Sequence, residues 1–150
     1  MTAYQTVVVG TDGSDSSYRA VDRAAAIAGD AGATLVIACA YYPAKQDRVE
    51  EAYDTLGDDV AYQVVGSSPA EETVRTATER ARKAGATKIE AEAVVGEPVE
   101  TLTKIVKTRS ADLLVVGNRG LNTLAGRILG SVPSEAARKS RVDVLIVHTT

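Results

Sequence analysis

The chain has 150 residues and a net charge of −3, with 45% hydrophobic and 25% charged residues. That is the profile of one ordinary globular domain, residues 1–150, able to remove about two thirds of its unfolded surface from water. No stripe of Lys and Arg is present to follow a phosphate backbone, so no nucleic acid partner is expected, and no apolar run reaches the roughly 20 residues that cross a bilayer.

The start, Met1-Thr2-Ala3-Tyr4-Gln5, lacks the basic segment and apolar run of a secretory signal, so a cytoplasmic protein is expected. Val7-Val8-Val9-Gly10 is a short β-branched run without alternation, the pattern of a strand covered on both faces of a parallel sheet. Thr11 to Ser17 is a polar turn. A helix follows with Ala20, Val21, Ala24, Ala25 and Ala28 on one face, and Gly32 stands at its C′ position. Leu35 to Ala40 is a second buried strand, and Cys39, the one cysteine, is read as a small core group within it. Tyr41 and Tyr42, at its end, are read as packing groups, with one as a wall of a base pocket the alternative.

Pro43 to Gly66 is charged and only weakly periodic, with Glu50 to Leu56 suited to a short helix. Ser68-Pro69-Ala70-Glu71 opens a clearer helix, with a capping Ser, Pro at N1 and Glu at N3. Its apolar stripe is Val74, Ala77, Ala81 and Ala84, and Gly85 ends it. Ile89 to Val95 begins with strict alternation, which places it at a sheet edge. Glu97-Pro98 opens a third helix with Val99, Leu102, Ile105 and Val106 inward. Leu113 to Val116 is a fourth strand, a helix runs from about Val132 to Lys139, and Val142 to Val147 closes the chain as a fifth strand.

Strands alternating with helices predict an α/β fold: a doubly wound, five-stranded parallel sheet in the order 3-2-1-4-5, helices on both faces. In such sheets ligands lie beyond the C-terminal strand ends, at the switch between the first and fourth strands. The loops after Val9 and Val116 meet there.

The second loop reads Gly117-Asn118-Arg119-Gly120, and after nine further residues Gly130-Ser131 opens the last helix. Gly117 and Gly120 let backbone N–H groups come close to a ligand, and a helix start offers free N–H donors with partial positive charge. Ser131 adds a hydroxyl. Together they suit a phosphate-like anion; spacing alone also fits a tight turn followed by an ordinary Ser cap. Arg119 fits either a phosphate partner or a solvated loop residue. Asp12 at the first strand end suits a hydrogen bond to a ligand or a Mg²⁺ ligand beside phosphates, a position that favours this reading over the alternative of an Asx turn.

Gly117-x2-Gly120-x9-Gly130-Ser131 resembles the G-x2-G-x9-G-[S/T] signature of the nucleotide-binding branch of the universal stress protein family. Val7-Val8-Val9-Gly10-Thr11-Asp12-Gly13-Ser14 resembles that family's first strand and loop, and Leu113–Gly117 and Val142–Val147 its fourth and fifth strands. The resemblance covers nearly the whole chain apart from residues 43–67. It implies the fold just described, frequent dimerisation, and binding of an adenine nucleotide, ATP or cyclic AMP. It further implies that Gly10, Thr11, Asp12 and Ala40 flank base and ribose. Gly117, Asn118, Arg119, Gly120, Gly130, Ser131 and Val132 would hold phosphate. Pro133 departs from what tight triphosphate binding wants, since it removes one N–H near the helix start.

No G-x4-G-K-[ST] lysine and no evident general base occur, so fast catalysis is not expected and a slow ATPase is the alternative. Asp12-Gly13-Ser14-Asp15-Ser16 is faintly similar to the loop of adenylating enzymes but lacks S-G-G-x-D-S, and no substrate domain has room. A receiver domain needs an Asp after its third strand and a Lys after its fifth; Val95-Gly96 and His148-Thr149 stand there instead. A flavin carrier usually wants aromatic stacking, and the chain has no Trp or Phe. The apolar Val142–Val147 strand, if uncovered, invites pairing with a second copy, so a homodimer through it is expected.

Overall fold

A computed structural model describes residues 3–42, 69–118 and 131–149. The proposed helix at Glu50 to Leu56 lies outside them, as do Ser68, Arg119, Gly120 and Gly130. The order is β1 (Thr6–Gly10), α1 (Asp15–Ala31), β2 (Thr34–Tyr41), α2 (Pro69–Ala84), β3 (Lys88–Val95), α3 (Pro98–Thr108), β4 (Leu113–Gly117), α4 (Ser131–Lys139) and β5 (Asp143–Val147).

The five strands form one parallel sheet in the order β3-β2-β1-β4-β5. The register puts Val9 beside Ile37 on one side and Val115 on the other, so β1 and β4 are neighbours although five elements separate them among the described residues. That reversal is the switch point expected from the β/α alternation.

Alternation along the strands divides the core in two. Val7, Val9, Leu35, Ile37, Leu113 and Val115 pack against α1 and α2, with Ala20, Val21, Ala24, Ala77 and Ala81. Val8, Val36, Ala38, Leu114 and Val116 face the other way, against Leu102, Ile105 and Val106 of α3 and Ala136 of α4. β1, the middle of β2 and β4 are apolar on both faces because both faces are covered. β3 has charged and half-exposed positions, Lys88, Glu90 and Glu92 among them, because it is an edge.

Local chemistry sets the helix ends. Ser14 caps α1 by accepting a hydrogen bond from the Ser17 N–H, and Gly32 closes it in a left-handed conformation, followed by the Ala33 N–H donating to the Ala28 carbonyl at 2.8 Å. Glu97 caps α3 through the N–H groups of Val99 and Glu100, ahead of Pro98. Between α1 and α2, Arg80 donates twice to the Asp22 carboxylate, at 3.1 and 2.6 Å, and lies 5.2 Å over the Tyr18 ring. The Asp22 hydrogen bonds hold the Arg80 guanidinium in its charged form, outweighing its slight burial.

Candidate functional site

A parallel sheet delivers all its strand ends to one side, so the segments after β1, β2 and β4 share one end of the molecule. Gly10 closes β1, and the Thr11 N–H donates to the Ala38 carbonyl at 3.0 Å, carrying the β1–β2 ladder one residue beyond the strand. Ala40 pairs with Val94 two residues further along β2. Gly117 pairs with Val147 at the end of β4, and the Asn118 N–H donates to the Val147 carbonyl at 3.0 Å. Gly10, Thr11, Asp12, Ala40, Gly117 and Asn118 therefore stand at one end of adjacent strands. Ser131 and Val132 begin α4, and Pro133 occupies its first turn, where a missing N–H costs the helix no internal hydrogen bond.

The backbone at Gly10 lies close on the layer beneath it. A Cβ there would come 2.8 Å from the Leu102 Cδ1 of α3.

The first loop is held by hydroxyls. Thr11 and Ser17 are buried, with their oxygens 2.7 Å apart; the Ser17 hydroxyl donates to the Ser14 carbonyl, so Thr11 is the donor between them. The Gly13 N–H donates to Thr11 Oγ1 at 3.2 Å. The exposed Asp12 accepts from the Ser14 N–H at 3.0 Å and the Ser14 hydroxyl at 2.6 Å, both on Oδ1. The Asx turn considered from sequence is thus present. Asp12 also sits near enough to β2 that its charge, after burial itself, helps push the Cys39 thiol above its ordinary range.

Asn118 is the best-anchored group at this end. It is 7% exposed, and its Oδ1 accepts from both the Thr149 N–H at 3.0 Å and the Thr149 hydroxyl at 2.7 Å. An N–H can only donate, so this fixes which end of the amide is oxygen. Its Nδ2 then faces His148 Nδ1 at 3.3 Å. Thr149, 4% exposed, reaches further: its hydroxyl also contacts Ser16 Oγ, and its carbonyl accepts from Arg19 Nη1. Since the Thr149 proton goes to Asn118, Ser16 is the donor.

Sequence reasoning picked out Asn118 but missed Thr149, Ser16, Ser17 and Arg19. The Ser-rich start of α1 was the available signal for Ser16 and Ser17. Among the described residues, no group of three or more His, Cys, Asp or Glu side chains is placed to hold a metal ion.

Such a fold defines a doubly wound α/β protein, the architecture in which ligands lie beyond the carboxyl strand ends. More particularly, the chain belongs to the universal stress protein family, whose family model matches residues 3–148. It is 57% identical over 150 residues to the universal stress protein Rv1636 of Mycobacterium tuberculosis, with each chain covered in full. A crystal structure of a universal stress protein in complex with cAMP matches with a TM-score of 0.77 and 52% identity, covering 99% of this chain and 100% of that one. The universal stress protein from Archaeoglobus fulgidus in complex with dAMP matches in fold, with a TM-score of 0.65 and 22% identity over 97% of this chain and 98% of that one.

Proposed function

We propose that this protein is a regulator that binds an adenine nucleotide, cyclic AMP or ATP, beyond the C-terminal ends of β1, β2 and β4, without fast chemistry. One observation carries the reading: the Gly10–Asp12 and Gly117–Asn118 segments stand side by side at the switch point. Support comes from the 52% identical relative solved with cAMP and from the G-x2-G-x9-G-[S/T] signature in this chain. Base and ribose would lie against Gly10, Thr11, Asp12 and Ala40. Phosphate would take backbone donors at Gly117 to Gly120 and at Gly130, Ser131 and Val132, where a helix start favours an anion. Asp12 is the residue to hold a Mg²⁺ that arrives with a triphosphate, the ion's other ligands being phosphate oxygens and water. The role we assign is nucleotide sensing linked to stress, in the cytoplasm.

The same reading includes a homodimer. Among the described residues β5 is a sheet edge beside β4, and its Val144, Leu145, Ile146 and Val147 are half-buried. Pairing through Val142–Val147 would cover them.

Isothermal titration with ATP, ADP, AMP and cyclic AMP tests the proposal. A ligand at 100 times its Kd adds about 2.7 kcal/mol and raises Tm by roughly 5–10 °C. No heat and no thermal shift with any of the four would defeat it. Phosphate release above buffer that Asp12→Ala abolishes would instead support the slow ATPase. A dimer at micromolar concentration is expected in sedimentation, and a monomer alone would defeat the pairing.

A further inference from the structure

Thr149 ties the residue after β4 to the first turn of α1, a side-chain link added to the β1–β4 pairing of the sheet. On one side it holds Asn118, the last described residue before the glycine-rich loop. On the other it holds the first turn of α1, through Ser16 and Arg19, directly after the Asp12 loop. Both Asn118 and Thr149 are buried, and both lone pairs of Asn118 Oδ1 are filled by Thr149. A buried polar network satisfied this fully has one favoured arrangement, and losing a member leaves donors or acceptors unpaired. Beyond the strand pairing, the two segments are therefore tied to each other by a residue that follows β5 and lies in neither loop.

We infer that Thr149 is a positioning residue for the nucleotide site: it locks Asn118 against the start of α1, and ligand affinity is coupled to this lock. The inference rests on the nucleotide-binding reading above. If ligand binds best when the two segments are locked, ligand must also favour the lock, because coupling is reciprocal. The lock also follows directly on β5, so the edge strand and the site share a mechanical connection.

The test uses the full chain with cyclic AMP as probe. Thr149→Val keeps the shape and removes the hydroxyl; Thr149→Ser restores it; Ser16→Ala cuts the same lock from its other end. Titration is expected to show about tenfold weaker binding for Thr149→Val and Ser16→Ala, and recovery to within about threefold for Thr149→Ser. Hydrogen exchange gives the readout that a merely structural role would not move. The Thr149 amide is held by a side chain and not by the strand ladder, so it exchanges by local opening of that contact, which global stabilisation does not slow. Saturating cyclic AMP is expected to slow it several-fold, while the Thr6 amide, bonded to Asp112 at the opposite end of the sheet, changes less. If the unaltered protein binds and both hydroxyl-deleted variants bind within twofold of it, with the Thr149 amide unaffected, the inference is overturned. If the unaltered protein binds no nucleotide while its Thr149 amide is protected, the functional reading has failed instead.

Discussion

Replacing Gly29 with Ala sets two physical effects against each other. Gly29 lies within α1, and propensity alone says that Ala there stabilises the helix by about 0.5–1 kcal/mol. The structure says otherwise. A Cβ on residue 29 would sit 2.4 Å from the carbonyl oxygen of Gly85 and 2.9 Å from its carbon, at the end of α2. Ordinary contacts need about 3.5 Å, and a backbone carbonyl cannot rotate aside as a side chain can. The ends of α1 and α2 must part by about an ångström, loosening Ala81 and Ala86, which are buried there. Overpacking of this kind costs roughly 1–3 kcal/mol, so the clash outweighs the propensity gain by about 1–2 kcal/mol. For a chain of this size that is a fall in Tm of about 2–8 °C. Urea unfolding followed by circular dichroism, with an unchanged m-value, measures it. A rise in Tm would refute the close approach of the two helices and return the argument to propensity.

Leu114→Ala removes a fully buried side chain from the α3/α4 face and is expected to cost about 2–5 kcal/mol by chemical denaturation; a loss under 1 kcal/mol would show that the site collapses freely. The Tyr4 hydroxyl donates to Asp143 at 2.9 Å, and that bond, chiefly, holds the phenol above its ordinary pKa. A raised folded-state value means the contribution is complete below about pH 10, the ordinary tyrosine value, and is lost as pH rises through the higher one. The stability difference between the parent and Tyr4→Phe should therefore be flat to pH 9 and shrink above pH 10; a difference that grows with pH would contradict it. Burial first, and the Asp12 charge second, push the Cys39 thiol up. A thiol-specific disulfide reagent at pH 8 should then label the native protein far more slowly than the urea-unfolded one, and equal rates would place Cys39 at the surface.

The sheet was legible because its signals are local and repeated. Uninterrupted apolar runs at Val7–Val9 and Leu113–Val116 can only be strands covered twice, and the alternation from Ile89 can only be an edge. Glu97-Pro98 marked the start of α3 for the same reason: the hydrogen bonds Glu97 makes are two and three residues away. Boundaries shifted slightly, with α1 starting at Asp15 inside the segment read as a turn and α4 at Ser131. The site was legible only in part. Asp12 supports the turn reading through Ser14, a partner two residues off. Asn118 was singled out by motif, but its partner is 31 residues later, and Ser16 meets Thr149 across 133. No periodicity encodes such pairs; only the folded sheet brings them together.

The narrow clearance between Gly10 and Leu102 has a consequence for how this domain tolerates change. The floor beneath the first loop is not built by the loop; it is borrowed from α3, on the opposite side of the sheet. A larger or differently branched group at position 102 would press on β1's terminus at Gly10 without any change in the loop residues themselves. Drift in hidden apolar residues can therefore retune what relatives with identical loops recognise, and comparing loop motifs alone would not reveal it.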